Sequence, residues 1–122
     1  MSDSCECQGP LIDETEALAR VGGDRELLAE LIELFRQDWP RQRAELRAAL
    51  AERNAHRVMV AAHTVKGSVS TFGACRPEDL AFQLERMGRA ENLGEADETV
   101  ALLEETVDQL CRELVDHAAG II

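Results

Sequence analysis

Residues 61–68 read Ala-Ala-His-Thr-Val-Lys-Gly-Ser, which puts an imidazole, an ammonium and a glycine within about one helical turn. At about 100° per residue, Val58, Ala62, Val65, Val69 and Phe72 fall within roughly 80° of one another and form a core stripe. His63 lies about 120° or more from the centre of that stripe, so it faces away from the core. Lys66 and Gly67 follow at i+3 and i+4 on the same face, and Ser70 continues the row one turn further. Glycine inside a helix costs about 0.5–1 kcal/mol relative to alanine. The gain at Gly67 is room for a large group to approach His63. A cation beside an imidazole disfavours the protonated ring and so preserves a nucleophilic nitrogen, and Lys66 can also meet an anion arriving on His63. From the spacing alone, a solvated helix face with an ordinary histidine and a packing glycine fits equally well. A metal site does not fit. Met59, Val60, Lys66 and Gly67 occupy the offsets where a second ligand would stand, and His56 is about 10 Å away along the helix axis.

The elements that must hold this face are all helices. Asp13 with Glu16 is a capping signal for a short helix near Glu14–Arg20; Gly22-Gly23 stops it and Asp24 caps the next. Leu27, Leu28, Leu31, Ile32 and Phe35 recur at helical spacing, and Leu46, Ala49 and Leu50 resume the pattern beyond Pro40. That pattern predicts one long helix kinked near Trp39-Pro40 rather than two helices. Asn54 caps a segment from His56 to near Gly73, and Pro77 at the first helical position opens another that Asn92–Gly94 breaks. Val100, Leu103, Val107, Leu110 and Leu114 then form a single apolar stripe. With short connections and no strand signal, the expectation is an all-α fold: an antiparallel up-down four-helix bundle with a short additional N-terminal helix. It spans residues 11–122, behind a flexible tail over residues 1–10.

Composition narrows the partners. Against 13 Lys and Arg stand 24 Asp and Glu, a formal charge of −11, which argues against nucleic acid or an anionic membrane surface. Hydrophobic residues make up 45% of the 122, enough for a core, and aromatic residues are scarce (Phe35, Trp39, Phe72 and Phe82). No apolar run is long enough to span a membrane and no secretory h-region is present, so a soluble, cytoplasmic protein is expected. The four cysteines are expected to be reduced, with Cys5 and Cys7 in the tail and Cys75 and Cys111 standing singly.

The ordered series Ala62-His63-x-Val65-Lys66-Gly67-Ser68, then Phe72-Gly73-Ala74, then Leu84-Glu85 resembles the histidine-containing phosphotransfer domains of phosphorelays. The resemblance extends outward to Gly22-Gly23-Asp24 and the Leu-rich helix ending near Trp39-Pro40. It implies a helical bundle whose exposed histidine takes a phosphoryl group from a receiver-domain aspartate, or a kinase, and passes it to another receiver. His63 matches the phosphoacceptor, Lys66 the cation near the phosphoryl oxygens, and Gly67 the clearance position. Glu85 matches the residue that hydrogen-bonds the other ring nitrogen. Pro77 departs from the pattern and puts the position of Glu85 in doubt.

Docking candidates are Met59 and Val60, one turn before the histidine, with His56 and Arg57 on the preceding turn. From Arg36 to Lys66 the net charge is +4 against −15 elsewhere, which would give a basic strip suited to an acidic receiver pocket. With no phosphate-binding loop, the chain is expected to be a monomeric phosphocarrier without an ATP site or metal of its own, the Mg²⁺ belonging to the receiver. The alternative is a helical adaptor that binds a receiver or kinase without being phosphorylated.

Overall fold

The structure is a computed structural model that describes residues 12–121, with side chains through Asp116. The expected tail over residues 1–10, with Cys5 and Cys7, lies outside the described residues. Among the described residues all regular structure is helical: α1 (Glu14–Arg20), α2 (Arg25–Ala51), α3 (Ala55–Ser70), α4 (Cys75–Arg89) and α5 (Ala96–Ile121).

The helices start where side chains can satisfy their free N–H groups. Asp13 accepts from the Glu16 amide, Asp24 from Leu27 and Asn54 from Arg57, each three residues on. At the far ends of α2 and α4, Arg53 and Glu91 adopt left-handed φ values of 52° and 56° and turn the chain sharply. α2 runs unbroken through Pro40, whose ring is exposed, so the single long helix is what forms.

Two boundaries differ from expectation. α3 ends at Ser70, so Phe72 lies beyond the helix yet remains buried at 1% exposure, meeting Phe35 edge-on at 5.4 Å. Pro77 is the third residue of α4, not the first. The first four N–H groups of any helix lack an intrahelical acceptor, so a proline there forfeits nothing. The doubt it cast on Glu85 therefore has no basis in helix geometry.

Packing follows the stripes. Val58, Ala62, Val65 and Val69 of α3 are fully buried, as are Val100, Leu103, Val107, Leu110 and Leu114 of α5. They join Leu28, Ile32, Leu46 and Ala49 of α2 and Leu84 of α4 in one core. Leu27, expected in the stripe, is instead exposed at its edge. α2 packs on α3, α3 on α4 and α4 on α5, and α5 returns to α2. Cys111 is a free thiol, but Cys75 is disulfide-bonded, which corrects the expectation of reduced cysteines at that position. Linear spacing does not reveal which sulfurs a fold brings within bonding reach.

A charged clasp closes α5 on α2. Glu104, nearly buried, accepts from Arg47 at 2.5 and 2.7 Å and from Arg43 at 3.0 Å. The Trp39 indole donates to Asp108 nearby. Hydrogen bonding from Arg47 holds the Glu104 carboxyl below its ordinary range, against a burial effect of opposite sign. A depressed carboxylate adds stability above its unfolded pKa of about 4.3, and that stability is lost as pH falls through the folded value. Glu104→Gln should therefore cost about 1–3 kcal/mol at neutral pH and flatten the decline below about pH 5. Urea melts across pH, with an unchanged acid limb in the variant as the contrary result, check this.

Candidate functional site

His63 stands at mid-length on α3 with its side chain 67% exposed, facing away from the buried stripe as the wheel required. Opposite it on α4, Glu85 is buried to 5% exposure. Its neighbours Ala81, Leu84 and Gly88 are buried as well, so the carboxylate occupies a core-facing position. Its charge is answered from three sides. The His63 Nδ1 lies 3.3 Å from Oε2, the Lys66 Nζ 2.8 Å from Oε1, and the Arg89 Nη2 3.1 Å from Oε2. Lys66 is the partner of Oε1, and its contact at 2.8 Å joins α3 to the buried carboxylate. Lys66 lowers the Glu85 pKa most, burial opposes, and His63 adds in the lowering direction.

This arrangement fixes the chemistry of the ring. An ionised carboxylate can only accept, so the proton between it and the imidazole sits on Nδ1. In the neutral ring the other nitrogen, Nε2, carries the lone pair, and it has no hydrogen-bond partner among the described residues. An exposed, unprotonated ring nitrogen backed by a buried carboxylate is a nucleophile with its tautomer set. The expectation for Lys66 changes in one respect: its ammonium is aimed at Glu85 rather than set against the ring.

Gly67 is exposed, and a Cβ built there would meet nothing within 4 Å. It is therefore not a packing glycine. The space it leaves is open to whatever comes to His63. Ser70 donates to the Gly67 carbonyl at 3.0 Å, tying its hydroxyl to its own helix.

The docking candidates divide between two faces. Val60, 49% exposed, lines a groove of about 400 Å³ between α2 and α3 with His56, Arg57, Thr64, Gln42 and Glu45. Met59 turns instead toward α4, against Gly88. Arg57 is held by Glu45 at 2.8 Å and by Glu52.

The basic strip does not survive folding. Arg36, Arg41, Arg43, Arg47, Arg53, Arg57 and Lys66 all form ion pairs, several with acids from outside the strip such as Asp97, Glu104 and Glu85. Counting charge along the sequence separated residues that the bundle brings together.

Three residues of the site had not been singled out. Arg89 follows Glu85 at i+4, a spacing that could have suggested the pair. Phe82 places its ring 5.0 Å from the Lys66 Nζ and 5.8 Å from the Arg86 Cζ. Gly88 carries the close approach of α4 to α3, with a Cβ there falling 2.6 Å from the Ala55 carbonyl oxygen.

The Hpt domain family model matches residues 30–113, a span that contains the whole of this site. The chain belongs to the Hpt domain family. Among solved structures, it is similar to histidine-containing phosphotransfer protein B (HptB) from Pseudomonas aeruginosa PAO1. The TM-score is 0.85 at 20% sequence identity, covering 93% of this chain and 98% of that one, a likeness of fold. No curated protein matches the sequence. Among the described residues of this Hpt chain, no helix is long and apolar enough to cross a membrane.

Proposed function

We propose that this Hpt chain is a phosphorelay intermediate in which His63 receives a phosphoryl group from a receiver-domain aspartate or a kinase and hands it to another receiver. One observation carries the assignment of the residue: on an exposed side chain, Nε2 has no partner among the described residues while Nδ1 is held by a buried carboxylate. As the Nε2–P bond forms, the bond from phosphorus to the aspartyl oxygen breaks, and its electron pair leaves with the receiver's carboxylate. The ring becomes cationic while keeping its Nδ1 proton, and Glu85 stabilises that charge. Lys66, 2.8 Å from Glu85, is near enough to the ring to turn toward the phosphoryl oxygens. Ser70 lies one turn beyond and supports the site through the α3 backbone.

Such transfer asks for in-line positioning and for cations, which the receiver's Mg²⁺ supplies alongside Lys66. The chain in this role needs no ATP site or metal of its own. It acts as a monomer in the cytoplasm, built as an antiparallel up-down four-helix bundle with α1 appended. Docking uses the α2–α3 groove and Val60, with His56 and Arg57 at its border and Met59 behind it. The free nucleophilic nitrogen favours this role over that of an unphosphorylated adaptor.

The test is incubation with a phosphorylated receiver and Mg²⁺. The expected product is an acid-labile, base-stable phosphate on this chain, and its absence would remove the proposal. Gly67 gives a second check. Gly67→Gln should preserve or slightly raise thermal stability, since the side chain meets nothing and glycine disfavours the helix. Transfer should slow by roughly tenfold to a hundredfold as the approach is crowded. An unchanged rate would show that clearance is not what Gly67 supplies.

A further inference from the structure

Lys66 is held from two directions. Its ammonium contacts Glu85 at 2.8 Å and stands 5.0 Å above the centre of the Phe82 ring, with the side chain only 25% exposed. Phe82 itself is 40% exposed, so burial in the core does not account for it. Arg86 takes a place at the same ring, at 5.8 Å, and forms no ion pair among the described residues. Phe82 and Glu85 are three residues apart on α4, so their side chains neighbour each other along one face. The negative face of an aromatic ring attracts a cation without the tight geometry of a carboxylate contact.

We infer that Phe82 is a positioning residue for transfer at His63, its ring holding the Lys66 ammonium at the Glu85 carboxylate that backs the imidazole. The inference rests on the phosphotransfer role proposed above. A lysine stem is flexible, and an ammonium that leaves Glu85 for an arriving phosphoryl group could equally swing into solvent. The ring supplies a surface along which the cation shifts while staying at the site. Phe82 touches neither His63 nor the phosphoryl group in this role; it acts through Lys66.

The experiment compares initial rates of phosphoryl transfer from a phosphorylated receiver to the full chain and its variants. Phe82→Leu keeps apolar volume and removes the aromatic face, whereas Phe82→Trp keeps the face. Transfer should slow by roughly two- to fivefold in Phe82→Leu and stay near the parent rate in Phe82→Trp. In a Lys66→Gln background, Phe82→Leu should cause no further loss, because the two act as one unit. The ε-methylene protons of Lys66 should show a ring-current shift in the parent and in Phe82→Trp that disappears in Phe82→Leu. A parent-like rate in Phe82→Leu, an equal loss without Lys66, or a Phe82→Trp variant as slow as Phe82→Leu would each overturn the inference. Failure of the parent itself to take up phosphate would fell the phosphotransfer role and this inference with it. Normal uptake with an insensitive Phe82 fells the inference alone.

Discussion

A His63→Gln variant incubated with a phosphorylated receiver and Mg²⁺ should carry no phosphate above background, while folding as the parent does. Both halves follow from the same geometry. The side chain is 67% exposed and outside the core, and among the described residues its hydrogen bond is the one to Glu85. Glutamine can donate to that carboxylate from a similar place, so stability should change by no more than about 0.5 kcal/mol. The chemistry cannot be kept so easily. An amide nitrogen has its lone pair delocalised into the carbonyl and is not a nucleophile, whereas the imidazole Nε2 with its proton held on Nδ1 is. Phosphate counting by mass spectrometry, with thermal melts alongside, decides the matter. Label retained by a folded variant would assign the acceptor elsewhere. An acid-stable label would point to a hydroxyl, and Thr64 and Ser68 are the nearest along the helix.

The face that carries His63 was legible because it depends on local periodicity alone. Val58, Ala62, Val65 and Val69 define one side of α3, and His63, Lys66 and Gly67 fall outside it by rotation. Caps at Asp13, Asp24 and Asn54 were legible for the same reason, each bond spanning three residues. What distance in sequence hides is the pairing of one helix with another. The seven bases from Arg36 to Lys66 read as a field, but Glu104 reaches Arg47 from 57 positions away and Asp97 reaches Arg53 from 44. Glu85 lies between the two cases. Its neighbours Ala81, Leu84 and Gly88 mark a buried position on α4, yet that a histidine lies across from it came only from resemblance.

Gly67 and Gly88 pose the same problem more sharply, since each sits inside a helix and costs it stability. Nothing in their local sequence says that one faces open space and the other another backbone. At Gly88 an added Cβ would fall 2.6 Å from the Ala55 carbonyl oxygen, 2.7 Å from the Met59 nitrogen and 2.9 Å from the Met59 Cβ. Two of these are main-chain atoms, which cannot swing aside as a flexible side chain would. Gly88→Ala should therefore force α4 away from the first turns of α3. The expected loss is about 2–4 kcal/mol, at or above the upper end for overpacking and against the gain alanine normally brings to a helix. Gly67→Ala is the matched control, with the same chemical change and a stability equal to or above the parent's. The displacement at Gly88 also reaches the site, because Glu85 and Arg89 lie within one turn on the same helix. In Gly88→Ala the Nδ1 of His63 should lose its carboxylate partner, and the two neutral ring tautomers should mix in imidazole ¹⁵N spectra. A Gly88→Ala protein as stable as the parent, with its histidine tautomer unmixed, would show that α3 and α4 do not meet as closely as the Ala55–Gly88 contact requires.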